Sequence, residues 1–486
     1  MKKKEIFLIG GLSLLSLGIY LITSAWIYSI GFPLDDAWIH QTYARNFTQH
    51  LQWSFFPGEV SGGSTGPLWG FLVSVFYFLG LAPYFGTYFL GFVLLWGISV
   101  LGMWVFSSLE PEQKNRAIFV GVLLVFEWHL VWAAGSGMET LLFSFLVLWV
   151  CGLLVREKKN WFVLGLLTGI SIWVRPGGVT LLGPILLTWL VEKSGTERWK
   201  AGLQATAGVT LTAGLYLLFN LWVAGDILPN TFYAKQAEYT TARSTPLIRR
   251  LAKLGLQPFV GAGIVLLPGF VYYLIDMVKR KGLVIFAGPL WAVGYICLYA
   301  WRLPVTYQHG RYLIPTIPIF LIWGMAGLLR WSQWDAEKIY RRVASRTWLA
   351  VLLVIAILFW GIGAWVYGRD VAVIETEMVQ IAQWVEVHVD EGAVIAAHDI
   401  GALGYYCDRR IIDIAGLVSP DVIPFIRDER QLAKYLDEKG ADYLIAFPFW
   451  YPELTARGEL IYQTQGGFAP RLGMENMAVY RWASER

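Results

Sequence analysis

The chain has 486 residues, of which 56% are hydrophobic and only 15% are charged, and its formal charge at neutral pH is +4. The small basic excess is dispersed and leaves no nucleic-acid footprint, and the absence of a Walker loop or a GxGxxG fingerprint argues against ATP-driven transport. Three cysteines suggest neither a disulfide framework nor a zinc site. Apolar runs near the ~20-residue length of a bilayer span recur instead, which predicts a polytopic α-helical membrane protein.

The topology follows from the basic residues that flank these runs. The first run, about residues 6–28, is predicted to be a retained anchor, since no small-residue cleavage site lies before the acidic pair that follows it. Under the positive-inside rule the cytoplasmic side is marked by Lys2, Lys3, Lys4, Arg156, Lys158, Lys159, Lys279, Arg280, Lys281, Arg341 and Arg342. The N-terminus and Arg341 are then both cytoplasmic, so the last span must exit. Twelve apolar candidates therefore reduce to about eleven transmembrane helices, because one candidate within 67–135 is expected to re-enter or to lie in the interface.

The chain changes character near residue 368. Residues 1–367 are predicted to form a membrane-embedded catalytic domain with a first external loop at residues 32–66. Residues 368–486 carry frequent charges and short apolar runs (AVIAA, RRIIDI and DYLIAF), with helix-like segments at 377–389 and 428–439. This pattern predicts a small extracytoplasmic α/β domain, on a multi-pass protein of the plasma (inner) membrane.

The first motif that could carry chemistry is the acidic pair Asp35-Asp36, which directly follows the first span. One Asp can be an ordinary helix N-cap, but a pair leaves the second carboxylate free for chemistry. The segment after the pair can form an amphipathic helix on the membrane, with its aromatic residues available to lipid, namely Trp38, Tyr43 and Phe47. The loop then continues through PGEVSGGSTGPLW, a weak signal that adds hydroxyl groups beside the pair.

Further polar residues at span ends reach the same external face in this topology. They are Glu139 in GSGMET, Arg175 in WVRPGG, Asn230 and Lys235 in LPNTFYAK, and His309 and Arg311 in YQHGRYLIP. Singly, each has an ordinary explanation, such as snorkelling for Arg175 or headgroup anchoring for Lys235. Jointly they indicate a functional cavity, because ionisable residues near the membrane tend to line one.

The charges of this set are complementary. A carboxylate can take a proton from a hydroxyl nucleophile, while Arg175, Lys235 and Arg311 can hold a phosphate and stabilise the charge on it as it leaves. An external site has no access to cytoplasmic nucleotide sugars. The pattern therefore favours glycosyl transfer from a lipid-phosphate sugar.

The sequence also resembles the GT-C glycosyltransferases that use polyprenyl-phosphate sugars. It is most similar to the mycobacterial-type terminal arabinofuranosyltransferases and their bacterial relatives, through DDAWIHQTYARN, PGEVSGGSTGPLW, GMET, VRPGG, LPNTFYAK, HGRYLIP and DIGALGYYCDRRIIDIAGLVSP. The resemblance implies an inverting displacement with Asp35 or Asp36 as the general base, Asp35 being slightly preferred. It also implies that Arg175 and Arg311 meet the donor phosphate, with His309 close by. Gly177 replaces an acidic residue that relatives often carry, so any role of that carboxylate is missing here. SGGST replaces a more aromatic sequence, so the resemblance implies no acceptor preference.

These motifs give a set of expected roles. Asp35 and Asp36 are candidate catalytic residues, the donor-phosphate set is Arg175, Lys235, His309 and Arg311, and the substrate-binding set is Arg45, Glu139, Asn230 and Tyr233. No metal ligand set and no cofactor is required by the sequence, although a divalent cation bridging carboxylate and phosphate, as in some GT-C enzymes, is compatible with it. The expected partners are a polyprenyl-phosphate sugar donor, a glycan, lipid or protein acceptor of the cell envelope, and the bilayer. The C-terminal domain adds acceptor-binding candidates, namely His398, Asp399, Tyr405, Tyr406, Asp408, Arg409 and Asp413.

Two other functions remain open from the sequence. A transporter or flippase for a lipid-linked saccharide would need many spans and a polar cavity too, although transporters usually show internal repeats, and none is visible. A non-catalytic scaffold is the second alternative. The crowding of charged residues at one membrane face argues against it.

Overall fold

The structure, a computed structural model, describes residues 2–192, 194–279, 282–333 and 338–483. Arg280 and Lys281, two of the predicted cytoplasmic basic residues, lie outside the described residues. The α-helices of the first half are α1 (Lys3–Ile27), α2 (Asp36–His50), α3 (Pro67–Phe78), α4 (Tyr84–Leu109), α5 (Ala117–Val125), α6 (Trp128–Gly135), α7 (Thr140–Val155), α8 (Trp161–Val174), α9 (Leu182–Glu192), α10 (Gly195–Ala224) and α11 (Asn230–Glu238). Those that follow are α12 (Leu247–Leu256), α13 (Ala262–Lys279), α14 (Ala287–Arg302), α15 (Tyr307–Gly310), α16 (Ile317–Gln333), α17 (Ile339–Ile374), α18 (Gln380–His388), α19 (Gly401–Tyr406), α20 (Glu429–Lys439), α21 (Pro452–Thr455) and α22 (Phe468–Arg471).

The helices confirm a multi-pass membrane protein. Among the described residues, seven helices are long and apolar enough to cross a membrane, or eight if the bent pair Pro111–Val125 and Trp128–Gly135, which meet at 56°, forms one span. Four further apolar helices are shorter, namely Pro67–Phe78, Thr140–Val155, Trp161–Val174 and Pro176–Glu192. There are thus fewer full-length spans than the eleven predicted crossings. An apolar run identifies a segment that prefers lipid or the protein core to water. It does not show where a proline or a bend interrupts the helix.

Close helix packing holds the membrane part together. Helices α8 and α10 approach at two glycines, where a side chain could not fit. A Cβ on Gly165 would lie 2.0 Å from the backbone oxygen of Ala205, and a Cβ on Gly208 would lie 2.3 Å from that of Phe162. Small residues at such contacts let helix backbones approach each other, which is how helices associate in lipid.

Helices α1 and α17 run parallel to each other. The indole N–H of Trp360 donates to Ser16 at 2.8 Å, and about two turns further along both helices a Cβ on Gly368 would lie 3.1 Å from the Cα of Ser24. The basic residues that begin both helices therefore lie at one end of the bundle. The segment after α1 and the C-terminal part of the chain lie at the other end.

Helix α2 forms where the sequence predicts a helix, but two of its aromatic side chains are fully covered by protein. Trp38 and Tyr43 are both 0% exposed. The ring of Trp38 lies 4.7 Å from that of Tyr405 in the C-terminal domain, and the ring of Phe47 lies 5.1 Å from that of Phe71. The prediction of a lipid-facing position is therefore wrong for Trp38 and Tyr43, whereas Phe47 is only partly buried and its contact with lipid stays a prediction. Spacing along a helix identifies its apolar face, but it does not distinguish lipid from a covering domain.

The C-terminal residues form a mixed α/β domain, as predicted. Two short strands, β1 (Ser54–Phe56) and β2 (Glu59–Val60), pair in the segment after α2, and the remaining strands are β3 (Val394–Ala397), β4 (Arg410–Asp413), β5 (Tyr443–Ala446), β6 (Glu459–Gln463) and β7 (Ala478–Arg481). The strand order in the larger sheet is β4-β3-β5-β7-β6. Strands β4, β3 and β5 are parallel, whereas β7 runs antiparallel to both β5 and β6. The three predicted apolar runs are the three parallel strands.

The predicted helices of this domain are present as α18 and α20. Helix α20 begins where Asp428 accepts hydrogen bonds from the backbone N–H groups of Arg430 and Gln431, each at 3.1 Å. The chain leaves the carboxyl end of β3, the middle one of the three parallel strands, through His398 and Asp399 and enters α19. In parallel sheets this edge is where ligands bind, and here it is directed toward α2.

Candidate active site

The two carboxylates of the acidic pair have different partners. Asp35 accepts the backbone N–H of Gly401 at 2.6 Å and that of Ala402 at 2.8 Å, so it binds the first turn of α19. The side chain is buried, and this burial raises the pKa of Asp35 to about 6, against the lowering effect of the two backbone hydrogen bonds. Asp35 therefore joins the segment after α1 to the C-terminal domain.

Asp36 begins α2 and lines a cavity on the other side. Its Oδ2 atom lies 2.6 Å from a guanidinium nitrogen of Arg311 and 3.5 Å from the ammonium of Lys235. Burial acts to raise the pKa of Asp36, but the charges of Lys235 and Arg311 outweigh it and hold this pKa well below its usual range. Asp36 is thus a partly exposed, ionised carboxylate between two cations.

A second group of polar residues lines the same cavity. Arg175 donates to Glu139 and to the hydroxyl of Thr140, each at 2.7 Å. The other carboxylate oxygen of Glu139 lies 3.2 Å from His40 Nε2, and His40 Nδ1 lies 3.5 Å from the hydroxyl of Ser64. The sequence singled out Glu139 and Arg175 but not His40. His40 lies four residues after Asp36, so both fall on one face of α2.

Tyr312, which follows Arg311 in the HGRYLIP motif, connects the cations. The centroid of its ring lies 5.9 Å from the guanidinium carbon of Arg175, 5.8 Å from Lys235 Nζ and 5.1 Å from the guanidinium carbon of Arg311. An aromatic face attracts cations at such distances. One ring therefore brings together three positive charges that come from three separate motifs.

The cavity has a volume of about 360 Å³ and two kinds of wall. Buried N–H groups on Arg175 (Nη1) and Arg311 (Nε and Nη1) have no hydrogen-bond partner. Leaving such donors unpaired costs free energy, so they are suited to an anionic ligand. The apolar wall consists of Ile39, Met138, Val179, Leu228, Phe232, Leu298 and Leu303. The arrangement can hold an anionic headgroup and an apolar chain side by side.

His309 does not belong to this lining. Gln308 and His309 both have left-handed backbone conformations, with φ of 52° and 57°. His309 Nε2 lies 2.7 Å from Asp370 of α17, which also accepts the indole N–H of Trp132 at 2.9 Å. The structure therefore places His309 against α17 rather than beside the cations. The sequence placed His309 beside the cations because it lies two residues before Arg311, but the left-handed turn directs its side chain elsewhere.

Three of the predicted substrate-binding residues also lie outside the lining. Arg45 donates at 2.7 Å to the backbone oxygen of Tyr405, in the last turn of α19. Asn230 is the buried first residue of α11, and the hydroxyl of Tyr233 donates to Asp226 at 3.0 Å. Of the substrate-binding set only Glu139 lines the cavity. Arg45 instead holds the opposite end of the helix that Asp35 caps.

Two C-terminal-domain candidates lie near the acidic pair. The ring Nδ1 of His398 lies 2.7 Å from the hydroxyl of Tyr451. One carboxylate oxygen of Asp399 is buried without a hydrogen-bond partner. Burial, together with the charges of Asp35 and Asp36, raises the pKa of Asp399 well above its usual range. Asp399 is therefore electrostatically coupled to the pair.

The other candidates of this domain have structural partners. Tyr405 and Tyr406 pack on Trp38. Asp413 accepts backbone N–H groups within its own loop, and Arg409 pairs with Glu386 at 3.1 Å, whose carboxylate also accepts the backbone N–H of Asp408 at the same distance. These contacts explain the residues as parts of the domain and of its docking surface on α2.

The same side chains form no metal site within the part of the chain that the structure describes. Among the residues that the structure describes, no group of three or more His, Cys, Asp or Glu side chains is arranged to hold a metal ion. Within the cavity, Asp36 is paired with Arg311 and Lys235, and Glu139 is paired with Arg175. Both lining carboxylates therefore have cationic partners already.

Comparison with known proteins finds similar structures but little sequence similarity. A domain of unknown function (DUF8728) matches residues 369–480, and no curated protein matches the chain. ArnT from Cupriavidus metallidurans bound to undecaprenyl phosphate aligns with a TM-score of 0.60 at 13% identity, covering 98% of each chain. The oligosaccharyltransferase of Archaeoglobus fulgidus, in complex with Zn and sulfate, aligns with a TM-score of 0.60 at 11% identity, covering 91% of this chain and 67% of that one. The chain has a GT-C-like fold.

The third likeness concerns the group that the sequence resembles. The arabinofuranosyltransferase AftD from Mycobacteria, as a mutant, aligns with a TM-score of 0.52 at 16% identity, covering 99% of this chain and 42% of that one. These identities are too low to carry residue roles from one protein to another. The comparisons therefore show the fold of this GT-C-like protein, and the roles of its residues depend on its own side chains.

Proposed function

We propose that this protein is a membrane glycosyltransferase that moves a sugar from a polyprenyl-phosphate donor to a glycan, lipid or protein acceptor of the cell envelope. One observation carries the proposal: Arg175 and Arg311, which both have unpaired, buried N–H groups, line one cavity together with Asp36 and with a set of apolar side chains. The GT-C-like fold supports it. A polyprenyl phosphate has both chemical parts that this cavity can hold, an anionic headgroup and an apolar chain.

The proposed reaction is a single inverting displacement at the anomeric carbon. The oxygen of an acceptor hydroxyl forms a bond to the anomeric carbon while Asp36 takes the proton of that hydroxyl. At the same time the bond between the anomeric carbon and the phosphate oxygen breaks. The polyprenyl phosphate leaves toward the N–H groups of Arg175 and Arg311 and the ammonium of Lys235. These donors stabilise charge that develops on the leaving group.

Asp36 is preferred over Asp35 as the base, the reverse of the preference drawn from the sequence. The Asp35 carboxylate is buried and bound to two backbone N–H groups of α19, whereas Asp36 lines the cavity. Before the donor binds, Lys235 and Arg311 hold the pKa of Asp36 low and make it a weak base. A donor phosphate would compete for both cations, which returns the pKa of Asp36 toward its ordinary range. Donor binding would thus prepare the base for the acceptor.

The orientation in the membrane is part of the proposal. We assign the N-terminus to the cytoplasm and the C-terminal domain to the extracytoplasmic side, with residues 1–367 as the membrane domain and 368–486 as the outer one. The parallel course of α1 and α17 supports this, since Lys2, Lys3, Lys4, Arg341 and Arg342 begin these two helices at the end opposite the cavity. Kinship with terminal arabinofuranosyltransferases is supported by the sequence motifs.

The test is transfer by the purified protein in nanodiscs, from a panel of polyprenyl-phosphate sugars that includes arabinofuranose, mannose and an aminosugar. Release of free polyprenyl phosphate is the readout. We expect one donor to turn over, Asp36→Asn to abolish turnover, and Asp390→Asn, an exposed Asp of the C-terminal domain, to leave it intact. If no donor is used, or if Asp36→Asn retains full turnover, the transferase proposal fails. Donor movement across the bilayer without release would indicate a flippase instead.

A further inference from the structure

A chain of four polar side chains crosses one wall of the cavity, and its first two members have no role in the reaction described above. It runs from the Ser64 hydroxyl to His40 Nδ1 (3.5 Å), from His40 Nε2 to Glu139 (3.2 Å), and from Glu139 to Arg175 (2.7 Å). These residues are only 2%, 3%, 3% and 4% exposed, in that order, yet all four line the cavity. The chain therefore joins a neutral hydroxyl to a cation of the proposed phosphate site.

The contacts fix which atoms face each other. The carboxylate of Glu139 receives the Nε–H of Arg175 on one oxygen, and its other oxygen lies 3.2 Å from His40 Nε2. His40 Nδ1 lies 3.5 Å from the Ser64 hydroxyl, which can donate to this nitrogen or accept from it. In either case the Ser64 oxygen keeps a lone pair that can accept a hydrogen bond from a ligand in the cavity.

The surroundings of Ser64 are hydroxyl groups rather than charges. The neighbouring Thr65 donates to the hydroxyl of Thr231 at 3.0 Å, and both residues line the same cavity. The two lining carboxylates are each paired with cations. This wall therefore suits a hydroxyl-bearing group, whereas the unpaired N–H groups of the arginines suit the phosphate.

We infer that Ser64 recognises a hydroxyl group of the transferred sugar, and that His40, held by Glu139, is the positioning residue that orients it. The inference rests on the proposed function, because the sugar is the part of the donor that would lie beside the phosphate. If the role of Ser64 is only structural, its substitution should change the affinity for every ligand equally. If Ser64 binds a sugar hydroxyl, its substitution should weaken only the binding of lipids that carry the sugar, since a site built to bind a hydroxyl distinguishes ligands with and without it.

The experiment compares three lipids in nanodiscs: undecaprenyl phosphate, undecaprenyl-phosphate mannose and undecaprenyl-phosphate arabinofuranose. Their affinities are measured for the parent, Ser64→Ala, Ser64→Thr and His40→Ala. Ser61→Ala is the matched control, because Ser61 lies in the same segment but bonds to the hydroxyl of Tyr43 at 2.7 Å and does not line the cavity. We expect the parent to bind at least one sugar lipid more tightly than undecaprenyl phosphate.

In Ser64→Ala that preference should fall about fivefold to tenfold, the effect of one neutral hydrogen bond, while the affinity for undecaprenyl phosphate stays unchanged. His40→Ala should lose most of the preference although Ser64 is present, and Ser64→Thr and Ser61→Ala should keep it. An equal loss for all three lipids, or an unchanged preference in Ser64→Ala, overturns the inference and leaves the transferase proposal standing. A parent that binds none of the three lipids contradicts the transferase proposal itself.

Discussion

The carboxylate of Asp35 accepts the backbone N–H of Gly401 at 2.6 Å, across 366 positions of the chain. At the other end of the same short helix, Arg45 donates to the backbone oxygens of Gly404 and Tyr405. An anion at the amino end and a cation at the carboxyl end both complement the dipole of α19. Helix α2, which carries Asp36 and His40, is therefore held by the C-terminal domain at two points, and the geometry of the cavity depends on that docking.

The docking contact leaves no room for a side chain at Gly401. A Cβ there would lie 2.0 Å from the backbone oxygen of Asp35. We expect Gly401→Ala to separate α19 from α2, and to lower the free energy of unfolding by about 1–3 kcal/mol, as overpacking does. Thermal unfolding in detergent and donor turnover measure the two effects. Gly392→Ala is the matched control, since a Cβ at Gly392 would meet nothing within 4 Å; equal stability and turnover in both variants would contradict the close contact.

The adjacent carboxylates should respond differently to the same substitution. Asp36→Asn removes the proposed base and should lower kcat by about 10²–10⁴-fold, the usual contribution of a general base. Asp35→Asn keeps one oxygen that can accept an N–H of α19 but turns an NH₂ group toward the second backbone N–H, so it should lower the unfolding temperature and reduce kcat far less. Steady-state rates and thermal unfolding of both variants distinguish the roles. Complete loss of turnover in a stably folded Asp35→Asn, with Asp36→Asn active, would reverse the assignment.

The sequence was sufficient for the parts of the fold that depend on local pattern. Short apolar runs predicted the parallel strands of the C-terminal domain, and the charged span ends predicted Glu139, Arg175, Lys235 and Arg311, which all line one cavity with Asp36. These residues could be found because an ionisable group beside a membrane is costly and therefore informative.

The sequence pattern did not predict the position of a side chain where that position depends on contacts between distant segments. Asp36 meets Arg311 across 275 positions, and nothing local distinguishes it from Asp35, whose partner is a backbone helix end in another domain. His309 is adjacent to Arg311, yet a left-handed turn directs it to Asp370. His40 and Tyr312 were missed because a lone His or Tyr beside a span is ordinary. The charge of their neighbours in space, rather than in sequence, makes them part of the site.

The unpaired N–H groups of Arg311 and Arg175 predict where the phosphate binds. Arg175→Gln and Arg311→Gln should each weaken binding of undecaprenyl phosphate by roughly 10-fold to 100-fold, because hydrogen bonds to a charged group contribute about 1.5–3 kcal/mol. Arg430→Gln removes an exposed arginine of the C-terminal domain and should have no effect. Lipid titration of the three variants in nanodiscs is the measurement. Unchanged affinity in both cavity variants would mean that the lipid phosphate binds elsewhere.

The pH dependence of the reaction should report the charges around Asp36. In the free protein Lys235 and Arg311 hold the pKa of Asp36 below its usual range, so the base stays ionised, and kcat/KM should not fall through loss of this base as the pH drops from 7 toward mildly acidic values. Lys235→Gln removes one of the lowering charges and leaves burial, which raises the pKa. The acidic limb of kcat/KM should therefore move to higher pH in Lys235→Gln. An exposed lysine of the C-terminal domain gives the control, Lys434→Gln; a limb that is the same in all three proteins would show that a group other than Asp36 takes the acceptor's proton.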